Sequence, residues 1–186
     1  MKKTLFILIL ALVAQMAFAQ DDNKKKEIDP LDVSRELQKI ADNGVPTVES
    51  VAQKKLTADT YYEEGMWKEA IEAYKIFAKD ANWLANILSQ CLEPFYSASY
   101  DDRKNVSYAT LSKWSPYERS ANEYKGQRDQ AYIRIGLCYK QLGEIDNALA
   151  YLYKGLDLVN MKATKDWDEA ATALAEIVGY TPPTKK

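Results

Sequence analysis

The sequence predicts an all-α fold, and three observations support this prediction. Apolar residues recur at helical spacing along most of the chain, whereas no segment shows the apolar–polar alternation of a strand. Glycines, prolines and capping residues separate these apolar runs. A pattern of small, aromatic and glycine residues also occurs twice, 78 residues apart, with Ala58, Tyr61, Gly65 and Ala70 in one copy and Gly136, Tyr139, Gly143 and Ala148 in the other.

The first residues of the chain indicate an export signal. Two lysines precede an apolar run of about ten residues, and Ala17-Phe18-Ala19 fits the rule for signal-peptide cleavage. The run is shorter than the about 20 residues that a helix needs to span a bilayer. We therefore expect a signal peptide over 1–19, cleaved after Ala19, a disordered polar tail over 20–28, and a mature protein that is periplasmic or secreted.

The composition argues against several classes of function. The chain has 25 basic and 27 acidic residues, so its charge gives no reason to expect nucleic-acid binding. It contains no histidine, which removes Ser-His-Asp and Cys-His catalysis and the commonest metal ligand. We therefore expect no enzymatic activity, no cofactor and no metal. Cys91 and Cys138 lie in apolar helical runs and are interpreted as buried free thiols, with a disulfide as the alternative.

Start and stop signals predict one helical domain over residues 29–180, followed by a tail over 181–186. Thr47 can cap a helix that ends before Gly65, and Ser115-Pro116-Tyr117-Glu118 forms a capping box with proline at the first helical position. The predicted helices cover about 29–43, 47–64, 67–79, 81–97, 115–125, 127–142, 145–158 and 166–178. Residues 99–115 are expected to be irregular, and loops of that length often carry function.

The shared positions of the twin pattern each have a physical role. Small residues such as Ala58 and Gly136 let two antiparallel helices approach closely. Gly65 and Gly143 permit the positive φ that ends a helix and reverses the chain. With these residues at this spacing, the pattern resembles the tetratricopeptide repeat family, whose unit is a helix–turn–helix of about 34 residues.

The resemblance implies a short right-handed α-solenoid of antiparallel helix pairs with capping helices. The two copies would span 51–84 and 129–162. Their offset of 78 residues exceeds two units of about 34 residues. A degenerate helical pair with a long loop is therefore expected over 85–128, and the helix at 166–178 is expected to cap the C-terminal end.

The resemblance also implies a non-catalytic scaffold or adaptor that binds a protein or peptide in a concave groove. The family's groove positions fall here on Lys55, Asp59, Tyr62, Ile133, Arg134, Leu137, Lys140 and Gln141. Asp59 stands where a clamp for a terminal carboxylate would have Asn, and it would repel such a ligand. The alternative for this set is that Ile133 and Leu137 belong to the core and the charged residues are simply solvated.

A glycan-binding module is the alternative function. Tyr and Trp stack on sugar rings, and the region 96–117 is rich in them, with Tyr100, Tyr108 and Trp114 as the candidate surface. The alternative role for these rings is to hold a long loop against the helices. The sequence leaves the partner and the oligomeric state open.

Overall fold

The computed structural model describes residues 32–93, 95, 97–159 and 164–181. Within these residues the chain is helical and contains no strand, and the helices are α1 (Ser34–Asn43), α2 (Val48–Glu63), α3 (Trp67–Gln90), α4 (Tyr100–Lys104), α5 (Tyr108–Gln141), α6 (Ile145–Leu158) and α7 (Thr164–Ile177). The all-α fold is therefore confirmed. The predicted signal peptide, the polar tail and residues 182–186 lie outside the described residues. None of the described helices has both the length and the apolar character needed to cross a bilayer.

The chain divides into two units between Gly44 and Val45, whereas the sequence predicts one domain from residue 29. The described part of the first unit is α1 with the residues that flank it. This helix ends at Gly44, as predicted, because the glycine takes a φ of 68° and its N–H bonds the carbonyl of Ile40 at 2.9 Å. The second unit holds the other six helices of the described chain.

The first helix pair of the second unit forms where the sequence predicts it. The hydroxyl of Thr47 accepts the N–H of Ser50 at 3.1 Å, and the hydroxyl of Ser50 accepts the N–H of Thr47 at 2.9 Å. This capping box starts α2. Gly65 then takes a φ of 74°, which reverses the chain into α3. Gly143 repeats this turn between α5 and α6, with a φ of 75°.

The region between the two turns differs from the sequence-based prediction. One helix, α3, replaces the two predicted at 67–79 and 81–97. Most of the stretch 99–115, expected to be irregular, belongs to α4 and to the start of α5. Gly126 does not interrupt α5, which runs for 34 residues. Packing outweighs the local break signals, because this part of α5 buries Ala121 and α5 packs extensively against α3.

The predicted start of a helix at Ser115-Pro116 is wrong. Ser107 is the cap of α5, and its hydroxyl accepts the N–H of Thr110 at 3.2 Å, which places Pro116 inside the helix. A proline there removes one backbone hydrogen bond. The ring of Trp114 packs on Phe95 with 4.8 Å between centroids. This contact joins the first part of α5 to a residue beyond the end of α3.

The helices pack in the order of an α-helical repeat. Each of α2, α3, α5, α6 and α7 contacts the next one in this series, and α5 also contacts α7. The most extensive of these interfaces joins α3 directly to α5. Among the residues that the structure describes, no degenerate helical pair therefore stands between the two copies of the pattern. The extra residues instead lengthen α3 and α5 and add the short α4 at their far ends.

Two glycines bring α5 and α6 close together in the core. A Cβ on Gly136 would lie 2.7 Å from Cγ and 2.9 Å from the backbone nitrogen of Leu152. A Cβ on Gly155 would lie 2.5 Å from Cγ1 of Ile133. Each helix thus supplies one glycine and one large residue, and both Ile133 and Leu152 are fully buried.

Polar contacts beside two buried aspartates join the helices, one an ion pair and the other a hydrogen bond. Lys54 of α2 binds Asp80 of α3, whose side chain is nearly inaccessible to solvent. Arg128 of α5 binds Asp129 at 2.8 Å through Nε and donates from Nη1 to the side-chain oxygen of Asn82 on α3 at 2.5 Å. Burial raises the pKa of Asp129, and Arg128 opposes that rise. These contacts fix α3 against both of its neighbours.

Candidate functional site

Two adjoining clefts lie along α2, α5 and α7, and together we call them the groove. The first cleft has a volume of about 340 Å³ and is lined by Lys55, Asp59, Tyr62, Glu63, Tyr74, Gln130 and Arg134. The second has a volume of about 450 Å³ and is lined by Tyr62, Arg134, Leu137, Lys140, Asp168, Glu169, Thr172, Ala173 and Glu176. Six of the eight groove residues predicted from the sequence line these clefts.

Asp59 organises the first cleft. Its Oδ2 accepts from Nζ of Lys55 at 2.5 Å, one turn earlier in α2, and its Oδ1 accepts from the hydroxyl of Tyr74 at 2.7 Å. Burial and the contact with Asp59 raise the pKa of Tyr74, so this phenol stays protonated and keeps donating. Because Lys55 already holds a carboxylate, the cleft is unlike a clamp for a terminal carboxylate.

Tyr62 and Arg134 form the boundary between the two clefts. The guanidinium of Arg134 lies 4.7 Å from the centre of the Tyr62 ring. Trp67 and Tyr74 both meet that ring edge to face, with centroids 5.6 and 6.2 Å away. The rotation of Tyr62 is thus restricted on several sides, and Arg134 is held where α2 and α5 face each other.

Glu169 of α7 faces the same arginine. Its Oε2 lies 3.3 Å from Nη1 of Arg134, which is an ion-pair distance. This oxygen is buried, yet it accepts no hydrogen bond from any side chain in the described parts of the chain. Buried carboxylate oxygens normally accept at least one hydrogen bond. The groove therefore presents an acceptor that lacks a well-aligned donor.

The second cleft combines an apolar residue with charged ones. Leu137 is half-buried and packs on the cluster of Ile133, Leu152, Ala170 and Ala173. Lys140, one turn further along α5, pairs with Glu176 of α7. Asp168 completes the rim of this cleft. A ligand here would meet apolar contacts surrounded by charge, which is a common arrangement at protein interfaces.

The groove is lined by more acidic than basic side chains. Its three cations, Lys55, Arg134 and Lys140, are each within ion-pair distance of a carboxylate of the groove itself. Its five acids also include Glu63 and Asp168. The surface is therefore acidic after its internal pairs are formed, and it favours a cationic ligand over an anionic one.

Two predicted groove residues lie elsewhere. Ile133 is 1 % exposed and packs in the core between α5, α6 and α7, so the prediction that it lines the groove is wrong. The close approach of Gly155 encloses it. Gln141 is exposed at the last position of α5 and is not among the residues that line the two clefts.

The sequence-based reasoning missed the contribution of α7. This helix was predicted only as a cap, yet Asp168, Glu169 and Glu176 line the second cleft. The spacing of the first and last of these, eight residues apart, places both on one helix face. This spacing is the signal that the sequence offered, but it indicates a position in the groove only once α7 is known to pack against α5.

The aromatic residues of the alternative surface are not arranged alike. Tyr100 and Tyr108 are strongly exposed, at 76 % and 85 %. Trp114 is half-buried against Phe95, in a small cleft with Leu92 and Leu111. It therefore packs the far ends of α3 and α5 together, which is the alternative role considered for these rings.

The two cysteines also occupy different environments. Both are free thiols, but Cys91 is exposed after the end of α3, so its expected burial is wrong. Cys138 is fully buried in α5, and burial raises the pKa of its thiol to about 12. Across the described ranges, no group of three or more Cys, Asp or Glu side chains is placed to hold a metal ion.

Comparison with known proteins identifies one segment of the chain. Residues 121–154 match a family model described as tetratricopeptide repeat. The match includes the C-terminal part of α5, the turn at Gly143 and most of α6. It overlaps the second repeat expected at 129–162. The searches of curated proteins and of solved structures give no significant match.

Proposed function

We propose that this chain, whose residues 121–154 match a tetratricopeptide repeat model, is a non-catalytic scaffold or adaptor that binds a protein partner in the groove of α2, α5 and α7. Repeat proteins of this type present extended surfaces made of successive helices, and these surfaces hold other chains. The proposed ligand is an extended peptide or a partner helix. One observation carries the assignment, namely the buried oxygen of Glu169 that lacks a hydrogen-bond donor beside the pair of Tyr62 and Arg134.

The chemistry of the groove favours a partner segment with basic residues. A lysine or arginine of the partner would donate to Glu169 and would be attracted by Asp168 and Glu63. Leu137 and Tyr62 offer apolar contacts beside these charges. A partner segment that alternates basic and apolar residues would match both features.

A peptide-binding experiment with the full chain tests this proposal. Labelled peptides of matched length, either basic–apolar or acidic–apolar, are titrated with the protein and followed by fluorescence anisotropy. We expect the basic series to bind and its affinity to fall as salt increases, because surface charges are screened. Tyr62→Ala combined with Glu169→Lys should abolish binding, since one change removes the aromatic boundary and the other reverses the charge of the carboxylate that would accept from the basic residue of the peptide.

Matched controls lie on the outer helices. Tyr153 of α6 is 71 % exposed and Glu69 of α3 is exposed, and neither lines the groove. Tyr153→Ala with Glu69→Lys makes the same chemical changes away from the site. If the groove variant still binds the basic peptides as well as this control, or if both lose binding equally, the groove is not the binding surface.

The proposed place of action is the bacterial periplasm or the outside of the cell. This part rests on the export signal over residues 1–19 and the cleavage motif that ends at Ala19. N-terminal sequencing of the protein from a fractionated bacterial host tests it. We expect a mature chain that begins at Gln20 in the exported fraction. Full-length protein confined to the cytoplasm would contradict it.

A further inference from the structure

A second cavity lies on a different face of the repeats. It has a volume of about 470 Å³ and is bordered by α3, α5 and α6. Tyr132 of α5 lines this cavity, whereas Arg134 of the same helix lines the groove. Residues two positions apart in a helix project about 200° apart, so the two sites open in different directions.

The polar side chains around this cavity are dominated by cations. Lys75, Lys79 and Lys154 line it, and no carboxylate does, although the protein as a whole is slightly acidic. Glu72, one turn before Lys75, accepts from its Nζ at 2.8 Å and neutralises part of this charge. Lys154 pairs with no carboxylate in the described part of the chain. The local balance therefore favours a negatively charged ligand.

The cationic groups are positioned by their neighbours. Nζ of Lys154 lies 4.3 Å from the centre of the Tyr132 ring, and Nζ of Lys75 lies 5.7 Å from that of Tyr139. Asn82 also lines the cavity, and its side-chain oxygen already accepts from Arg128 at 2.5 Å. The NH₂ group of this amide can donate to a ligand.

Small residues leave the space open. Ala78 and Ala150 line the cavity where α3 and α6 face each other, and larger side chains there would fill it. Tyr151 forms one wall, with its ring centroid 6.3 Å from that of Tyr132. A volume of this size lies within the range of small-molecule sites. Aromatic walls suit a flat or ring-shaped ligand body.

We propose that the cavity between α3 and α6 binds a small ligand that carries a phosphate or carboxylate group on a ring, with Lys75 and Lys154 holding the anionic group. Tyr132 and Tyr151 contact the ring, and the side-chain amide of Asn82 donates a hydrogen bond to the ligand. This site is independent of the groove, so its failure would leave the proposed scaffold function untouched.

Calorimetric titration of the full chain tests this site with four defined probes. Glucose 6-phosphate and glucuronate carry the two anionic groups on a ring, glucose is the neutral ring, and inorganic phosphate is the group alone. We expect the two anionic sugars to bind more tightly than phosphate, and glucose not to bind. Lys154→Gln should weaken binding about tenfold, whereas Lys154→Arg should retain it, since arginine keeps both the charge and the contact with Tyr132.

Two further variants separate ligand binding from folding. Ala150→Leu fills the cavity without changing charge, at a position where the native side chain is exposed and leucine suits a helix. It should block binding while the circular dichroism spectrum is unchanged. Lys68→Gln removes the same charge from a lysine of α3 that does not line the cavity, and it should leave binding unchanged.

Several outcomes would overturn the proposal. One is the absence of binding by either anionic sugar up to about 10 mM. Another is binding that Lys154→Gln and Ala150→Leu leave unchanged. A third is association with phosphatidylglycerol vesicles but with neither sugar, because the lysines would then contact a membrane surface rather than a ligand in the cavity.

Discussion

The guanidinium of Arg134 lies 4.7 Å from the centre of the Tyr62 ring, and this contact joins the two repeats across the groove. On one side Trp67 packs against the ring, and on the other Glu169 of α7 faces the arginine at 3.3 Å. The three helices that line the groove, α2, α5 and α7, are therefore linked through one pair of side chains.

This pair should be energetically coupled. In a double-mutant cycle with Tyr62→Ala and Arg134→Ala, urea unfolding should give a coupling free energy of about 0.5–2 kcal/mol, the range of a partly desolvated cation–π contact. Tyr62→Ala with Lys68→Ala serves as the control cycle and should show almost no coupling. A coupling for Tyr62 and Arg134 as small as the control would mean that the contact adds nothing to stability.

The contact between Gly136 and Leu152 predicts opposite effects of two Gly→Ala substitutions in α5. Gly136→Ala should lower the free energy of unfolding by about 1–3 kcal/mol, because the new Cβ would press on the backbone of Leu152. Gly126→Ala should raise it by about 0.5–1 kcal/mol, since no atom lies within 4 Å and alanine favours the helix. Denaturant melts of the two variants test this, and equal shifts would contradict the close approach of α5 and α6.

We expect the ion pair between Lys54 and Asp80 to affect stability mainly when only one of its two charges is removed. Lys54→Met leaves the nearly buried carboxylate of Asp80 unpaired and should destabilise the protein by about 1–3 kcal/mol. Lys54→Met with Asp80→Leu replaces both charges by apolar groups and should recover most of that loss. Thermal unfolding of the three proteins provides the measurement. A double variant less stable than Lys54→Met would show that the pair contributes net stability.

The two thiols should react very differently. Cys91 is exposed and should be alkylated readily at pH 8, whereas Cys138 should react only after unfolding, because burial raises its pKa to about 12. Mass spectrometry of the alkylated native protein distinguishes them. Rapid modification of Cys138 in the native state would contradict its burial.

The same thiol adds a pH dependence to stability. The ordinary thiol pKa is 9.0, so the unfolded chain releases this proton before the folded protein does as the pH rises. Its contribution is complete below pH 9.0 and is lost between pH 9.0 and about 12. The pH profile of Cys138→Ala should therefore be flatter than that of the wild type in this window. Parallel pH profiles of the two proteins would contradict the raised pKa of Cys138.

Features that depend on neighbouring residues could be predicted from the sequence. The cap of α2 joins Thr47 to Ser50, which is only three residues further along the chain. Gly65 and Gly143 take a positive φ because only glycine does so without steric cost. Lys55, Asp59 and Tyr62 share a helix face through their spacing alone. These signals act within one or two turns of chain, so the sequence by itself determined the helix pairs, the positions of their turns and the repeat.

Only the tertiary structure decided how far the helices extend and which of them meet. Pro116 and Gly126 are local breaks, but α5 passes through both, with Trp114 packed on Phe95 and Ala121 buried. The acidic side of the groove needs α7 beside α5, and the burial of Ile133 needs Gly155 on another helix. Such contacts join residues far apart in sequence, and their energy exceeds the local preferences that a sequence pattern records.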